Sequence, residues 1–171
     1  MQQEGCWFPT RVHIPGLAGS IPAPAQGFYV DTKLKGDIAE QIVILEALKR
    51  EISVSIPVGD RLSYDLIFDI NNKLHRIQVK CAWPDKSYGS YLVDVRTSKT
   101  NRTKYKYVKY NDNDFDFAIM VIIEHNILYI MPSNIFNSYG SIITLLNPNN
   151  EDKSQRLPKS YEYKNAWQLL I

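Results

Sequence analysis

Four polar residues, spread over three nearby stretches of the chain, have side chains that could together hydrolyse a phosphodiester bond. Glu40 lies in "KGDIAE", Asp65 in "YDLIFD", and "RIQVK" carries Gln78 and Lys80 two residues apart. The two carboxylates, the Gln78 amide oxygen and the Val79 carbonyl are hard oxygen ligands of the kind that divalent cations prefer. Lys80 could orient the attacking water and stabilise the transition state. These residues therefore predict a metal-assisted hydrolytic site.

A helix and a β-hairpin must position these side chains. "YDLIFDI" alternates between apolar and polar residues, "NNK" follows, and "LHRIQVK" comes next, which predicts two antiparallel strands. A loop of two or four residues within Asn71 to Leu74 places Asp65 on the same face as Gln78 and Lys80. Upstream, apolar spacing predicts a helix from Leu34 to Arg50 that carries Glu40. Five residues form its apolar stripe, which we expect to face the core: Leu34, Ile38, Ile42, Leu45 and Leu48.

The same pattern also fits a hairpin whose polar face has no catalytic role. Charged residues on the wet side of antiparallel strands are common and often pair across the strands. Asp69 with Arg76, and Asp65 with Lys80, would be two such ion pairs. The residues of the hairpin alone leave both interpretations open.

The remaining segments predict an α/β (α+β) domain with a mixed central sheet flanked by helices. "ISVSIP" (Ile52 to Pro57) predicts a strand, and "DFAIMVI" with "ILYIMP" predicts a strand pair around "EHN". In the tail, Tyr163, Ala166, Trp167 and Leu170 have the spacing of a short amphipathic helix. Helix, strand, hairpin, strands and helix thus follow one another along the chain.

The three motifs resemble the PD-(D/E)XK nucleases, and the likeness to the group I intron-encoded homing endonucleases of cyanobacteria runs from about Asp31 to about Phe136. This resemblance implies a restriction-endonuclease-like core and a Mg²⁺ cofactor, with Mn²⁺ as a substitute. By position it assigns the acidic metal ligand to Asp65, the helix glutamate to Glu40 and the lysine to Lys80. The second acidic position falls on Gln78, which departs from the superfamily pattern, although the intron-encoded branch is similar in using glutamine. Tyr64 stands where proline would precede the aspartate.

The function that the resemblance implies is site-specific, metal-dependent cleavage of double-stranded DNA by a homing endonuclease. Because one domain offers one active site and two strands must be cut, we expect a homodimer or a dimer of dimers. Two alternatives stay open. A Holliday-junction resolvase or restriction-type endonuclease has the same core, and a non-catalytic DNA-binding module would carry Gln78 as the mark of a decayed site.

A basic and aromatic stretch, "RTSKTNRTKYKYVKY", contains cations and no acidic residue. Cations neutralise phosphates, and an alternating strand or ribbon can lie in a DNA groove. An ordinary solvated surface would have a similar composition. Beside a candidate phosphodiesterase site we expect DNA contacts from Arg96, Lys99, Arg102, Lys104, Tyr105, Lys106 and Lys109.

The chain of 171 residues suits one domain, which we place at residues 31–171. Residues 1–30 hold four of the eight glycines and four of the nine prolines, which predicts an irregular segment. The net charge of +2 by itself indicates no class of partner. Cys6 and Cys81 are too few to staple the fold, so we expect free thiols in a reducing compartment. With neither a signal peptide nor an apolar run of membrane-spanning length, an intracellular, cytoplasmic protein that contacts no membrane is expected. The resemblance implies a bacterial one.

Overall fold

A computed structural model describes residues 31–59, 61–101, 104–153 and 157–171, with only the backbone of 98–101, 104–105 and 151–153. The predicted irregular segment 1–30 lies outside the described residues. The strands are β1 (Ser53–Ser55), β2 (Leu66–Ile70), β3 (Lys73–Cys81), β4 (Trp83–Asp85), β5 (Ser90–Asp94), β6 (Arg96–Asn101), β7 (Lys104–Lys109), β8 (Phe117–Ile122), β9 (Ile127–Pro132) and β10 (Ile142–Leu145). The helices are α1 (Thr32–Leu48), α2 (Ser133–Ser138) and the 3₁₀-helices Ile123–His125, Pro148–Lys153, Lys159–Tyr163 and Trp167–Leu170.

The central sheet has five strands in the order β1-β2-β3-β8-β9. Strand β3 runs parallel to β8, whereas the other neighbours are antiparallel, so the sheet is mixed as predicted. Helix α1 and the C-terminal segment cover one face. The other face packs against α2 and a smaller sheet of order β10-β5-β4. Within the described residues, no helix is long and apolar enough to cross a lipid bilayer.

The hairpin of β2 and β3 closes through a two-residue loop, one of the two predicted lengths. Asn71 and Asn72 both have positive φ, 53° and 62°, and Ile70 pairs with Lys73 across them. Asparagine tolerates this backbone region, and a turn with two such residues matches the twist of the flanking strands. The register that follows places Leu66 opposite Ile77, so the residue before β2, Asp65, comes opposite Gln78.

The predicted core-facing stripe of α1 is largely wrong, and of its five residues only Ile42 packs against the core. Leu34, Leu45 and Leu48 are 50%, 52% and 56% exposed, whereas Ala39, Val43 and Ala47 are fully buried. The buried residues recur every four positions and are small, which lets the helix backbone lie close to the sheet. The larger leucines are left on the outer face, so α1 presents an apolar surface to its surroundings.

The C-terminal turn of α1 is fixed by charge pairs. Glu46 accepts hydrogen bonds from Lys49 and Arg50, both at 2.8 Å, and Arg50 in turn stacks over Trp167 at 4.3 Å. These hydrogen bonds, first from Lys49 and then from Arg50, lower the pKa of Glu46 to about 2. The helix end is thereby attached to the C-terminal segment.

The predicted C-terminal amphipathic helix is also wrong, although its apolar residues Ala166, Trp167 and Leu170 are buried as expected. Two 3₁₀-helices replace it, because Asn165 between them adopts a left-handed φ of 50°. The Asn165 backbone N–H donates to the Leu128 carbonyl at 2.7 Å. This bond to β9 stabilises the break, which apolar spacing alone does not reveal. The predicted strand Ile52 to Pro57 is shorter than expected, at Ser53–Ser55.

Candidate active site

Asp65 extends the β2–β3 pairing with its side chain. Its backbone N–H donates to the Ile77 carbonyl at 2.9 Å, next to the Leu66–Ile77 pair that ends the β2–β3 register. Beyond that point, Asp65 Oδ2 accepts a hydrogen bond from the Val79 backbone N–H at 2.7 Å. The carboxylate is therefore held against β3 by the strand itself, in a half-buried position at the end of the hairpin.

Gln78 lies beside that carboxylate and is only 7% exposed. Its Nε2 donates to Asp65 Oδ2 at 2.6 Å and to the Val79 carbonyl at 3.0 Å. Three of the residues predicted from the sequence thus meet within hydrogen-bonding distance. Two oxygen atoms converge on one donor group, in an arrangement that also suits a small cation.

Glu40 on α1 is near enough to Asp65 to sense its charge. Burial raises the pKa of Glu40, and the negative charges of Asp65 and then Asp37 raise it further. Burial also raises the pKa of Asp65, against the opposing effects of the Val79 N–H, the Lys80 charge and the Gln78 amide. Both carboxylates would therefore be stabilised in their ionised form by an added positive charge.

Lys80 contributes its charge to the site from a position outside the Asp65 hydrogen-bond set. Its Nζ donates to the Arg96 carbonyl at 3.1 Å and lies 4.9 Å from the centre of the Tyr110 ring. The Lys80 charge nevertheless acts to lower the pKa of both Asp65 and Asp94. The sequence did not reveal Tyr110 and Asp94 as neighbours of Lys80. Asp94 ends β5 and Tyr110 follows β7, and only the fold brings these positions close to β3.

The cross-strand ion pairs of the alternative interpretation are absent among the described residues. The register pairs Asp69 with Leu74, and Arg76 instead binds Asp116, with Nη2 to Oδ1 at 2.9 Å and its backbone N–H to Oδ2 at 2.7 Å. Lys80 likewise makes no ion pair with Asp65 where both are described. Among the described residues, ion pairs between its own strands therefore do not account for the polar face of the hairpin.

The basic stretch forms an antiparallel ribbon of β6 and β7, from Arg96 opposite Lys109 to Asn101 opposite Lys104. Lys106 and Lys109 are exposed. Arg96 is bound by Asp94, with Nε and Nη2 each 2.9 Å from a carboxylate oxygen, and stacks on the Tyr107 ring at 4.5 Å. Arg102 and the side chains of Lys99, Lys104 and Tyr105 lie outside the described part of the chain.

Comparison with known proteins identifies the fold and the class of enzyme. A family model for PD-(D/E)XK endonucleases matches residues 30–170. The chain belongs to this family. Among solved structures, a bacterial homing endonuclease, I-Ssp6803I, is 46% identical and superposes with a TM-score of 0.76, covering 82% of this chain and 93% of that chain. The search of curated proteins found no match.

Family membership confirms the resemblance, the restriction-endonuclease-like fold and the assignment as a DNA-cleaving hydrolase. PD-(D/E)XK endonucleases generally use divalent metal ions, and the residues of this endonuclease fit such an ion. Asp65 Oδ2 and the Val79 carbonyl already converge on one atom, and rotation of the Gln78 amide exchanges its nitrogen for an oxygen acceptor. The resulting donors are all hard oxygens, as Mg²⁺ and Mn²⁺ prefer.

Proposed function

We propose that this PD-(D/E)XK endonuclease is a site-specific homing endonuclease of the group I intron-encoded kind. It acts inside a bacterial cell and cleaves both strands of a double-stranded DNA target with Mg²⁺, for which Mn²⁺ can substitute. One observation carries the proposal: the Asp65 carboxylate and the Val79 carbonyl converge on the Gln78 amide, with Glu40 near enough to be repelled by Asp65. The similarity to I-Ssp6803I supports the homing assignment.

The residues divide the chemical work according to their positions. Asp65, Glu40, the Gln78 amide oxygen and the Val79 carbonyl bind the cation, which when bound offsets charge on the scissile phosphate and acidifies a water molecule. Lys80 Nζ donates hydrogen bonds to the attacking water and to the phosphate, and its charge stabilises the transition state. Gln78 keeps an oxygen ligand but brings no negative charge, so Glu40 supplies the second carboxylate of the site.

The β6–β7 ribbon is the DNA-binding element in this proposal. Lys106 and Lys109 are exposed on it, and a two-stranded ribbon fits the major groove of a duplex. The two hydrogen bonds from the Arg96 guanidinium to the Asp94 carboxylate hold the guanidinium in one orientation before DNA binds. The other proposed contacts from the same ribbon are Lys99, Arg102, Lys104 and Tyr105.

Cleavage of two strands calls for two copies of the site, and we propose a homodimer or a dimer of dimers. The exposed leucines of α1, together with Ile38 and Ile42 between them, form an apolar surface suited to contact with a second copy. A two-fold axis through this surface would relate two active sites, and hence two half-sites of a near-palindromic target.

The decisive experiment is incubation of the full chain with a randomised duplex library and Mg²⁺, followed by sequencing of the cut ends. Recurrent ends at one sequence are the expected result. Asp65→Ala and Lys80→Ala should each abolish cleavage while duplex binding persists. Asp69→Ala is the matched control, because Asp69 is an exposed aspartate on β2, the strand that Asp65 precedes, and its loss leaves the site intact.

Two outcomes would refute the proposal in different ways. If the wild-type protein binds duplex DNA but leaves it uncut at every Mg²⁺ and Mn²⁺ concentration, the chain is a non-catalytic DNA-binding module. If it cuts a four-way junction of any sequence in preference to every linear duplex, it is a junction resolvase. Cleavage that persists in Asp65→Ala would place the active site elsewhere.

A further inference from the structure

The two ends of the β6–β7 ribbon meet at Lys80. Arg96 opens β6, Lys109 closes β7 opposite it, and Tyr110 follows directly. The Lys80 ammonium lies between these ends, bonded to the Arg96 carbonyl at 3.1 Å and 4.9 Å from the centre of the Tyr110 ring. A residue of the candidate active site is thus held by the base of the candidate DNA-binding element.

Tyr110 is well suited to hold a cation because its ring cannot move freely. Only 8% of the residue is exposed. Its ring packs edge-on against Phe115, with centroids 5.1 Å apart, and lies tilted against the Phe136 ring at 6.5 Å. The face of a fixed aromatic ring attracts an ammonium ion, and more strongly where water is excluded. A lysine stem has several rotatable bonds, so a fixed ring and a carbonyl together restrict its orientation.

The same contacts keep the ammonium from forming an ion pair with Asp65. Asp65 Oδ2 is bonded by Gln78 and Val79, while Lys80 Nζ is directed to the Arg96 carbonyl. A lysine free to move would be drawn to the nearest carboxylate and would compete with a cation for it. Holding the charge beside the carboxylate leaves Asp65 available as a ligand.

We propose that Tyr110 is a positioning residue for Lys80: its ring, with the Arg96 carbonyl, holds the ammonium beside Asp65 in the orientation that cleavage requires. The catalytic part of this inference rests on the proposed function of the site. The contact itself is independent of that function, and it can be measured in the free protein.

The contact is tested by NMR on the full chain. An aromatic ring face shifts nearby protons upfield, so the Lys80 ε-methylene protons should resonate upfield of the ordinary lysine range in the wild type and in Tyr110→Phe. They should return to the ordinary lysine range in Tyr110→Leu. If the wild-type signal already lies in the ordinary range, or if Tyr110→Leu leaves an upfield signal unchanged, the proposed contact is refuted.

The effect on cleavage is tested by single-turnover rates on a duplex that the wild type cuts. Tyr110→Leu should lower the rate about tenfold with DNA affinity unchanged, and Tyr110→Phe, which restores the ring, should recover it. Leu145→Ala is the matched control, because Leu145 is fully buried in the same apolar core but takes no part in the ring contacts that fix Tyr110. It should lower thermal stability and leave the rate of the folded enzyme unchanged.

The outcomes separate this inference from the proposed function. Equal rates for wild type and Tyr110→Leu, or equal losses in Tyr110→Leu and Leu145→Ala, would show that Tyr110 serves only the fold. A wild-type protein that cuts no DNA would refute the proposed function and the catalytic part of the inference together. In that case the methylene shift still decides whether Tyr110 holds Lys80.

Discussion

Replacing Gln78 with glutamate tests how the site balances its charges. Gln78 Nε2 lies 2.6 Å from Asp65 Oδ2, so Gln78→Glu exchanges a hydrogen bond for two carboxylates in contact. With charges about 4 Å apart, their repulsion is about 4 kcal/mol at an effective dielectric constant of about 20. Without a bound cation, we expect the variant to be destabilised by an amount of this order.

Proton uptake sets an upper limit to the loss and gives it a pH dependence. The pair can share a proton, which at pH 7 costs about 3.7 kcal/mol for a group with an unperturbed pKa of about 4.3. Sharing the proton raises the pKa of one carboxyl of the pair in the folded state. The loss of folding stability is therefore absent below the pKa of that group in the unfolded state, and it grows by about 1.4 kcal/mol per pH unit above it. We therefore expect Gln78→Glu to lose about 1 kcal/mol at pH 5 and about 3 to 4 kcal/mol at pH 7.

Urea unfolding in the presence of a chelator, at pH 5, 6 and 7, measures this loss directly. Gln168→Glu is the matched control, because Gln168 is exposed in the last 3₁₀-helix and the same charge there should change stability by less than about 0.5 kcal/mol. Adding Mn²⁺ should stabilise Gln78→Glu more than the wild type, since three carboxylates then face the ion. A loss of stability that is small, independent of pH or unaffected by Mn²⁺ would refute the proposal that Gln78 and Asp65 form a cation site.

Three further predictions concern the rest of the chain. Because the pKa of Glu46 is lowered to about 2, its ion pairs stabilise the fold above pH 4.5 and are lost as the pH falls toward 2. Glu46→Gln should therefore lower the free energy of unfolding by about 1 kcal/mol at pH 7, and by progressively less below pH 4.5, as measured by urea unfolding. Lys106→Gln should weaken duplex binding and reduce the slope of log K against log salt by about 1. Lys73→Gln, at the hairpin turn, is the control and should leave that slope unchanged. Equal slopes for the two variants would show that the ribbon does not contact DNA. Leu45→Lys should shift the protein toward the monomer, as measured by light scattering. Leu74→Lys, which changes an exposed leucine of the hairpin, should not. An unchanged oligomer in Leu45→Lys would exclude the α1 face as the interface.

The hairpin at the centre of the site could be predicted because its information is local. Alternating residues on both strands allow a loop of two or four residues, and either length puts Asp65 on the same face as Gln78. The observed Asn71-Asn72 turn selects the register that brings the two residues opposite each other. The bond from the Val79 N–H to Asp65 then follows from the same pairing. Motif spacing and strand geometry therefore agree on the same residues.

The outward face of α1 and the surroundings of Lys80 could not be predicted in the same way. Which side of a helix is buried depends on the shape of the sheet beneath it, and here the sheet accepts Ala39 and Val43 rather than the larger leucines. The groups that hold Lys80, the Arg96 carbonyl and the Tyr110 ring, are 16 and 30 residues away. Only the paths of the later strands bring them together, and a backbone carbonyl leaves no signature in a sequence.

The central claim is that Asp65, the Val79 carbonyl and Gln78 form one cation site. Anomalous X-ray scattering from crystals soaked in Mn²⁺ locates the ion without reference to activity. We expect one strong peak within bonding distance of the Asp65 carboxylate and the Val79 carbonyl, with the Gln78 amide oxygen turned toward it, and no such peak in Asp65→Ala crystals. A peak at another acidic group, with Gln78 still donating to Asp65, would contradict the account.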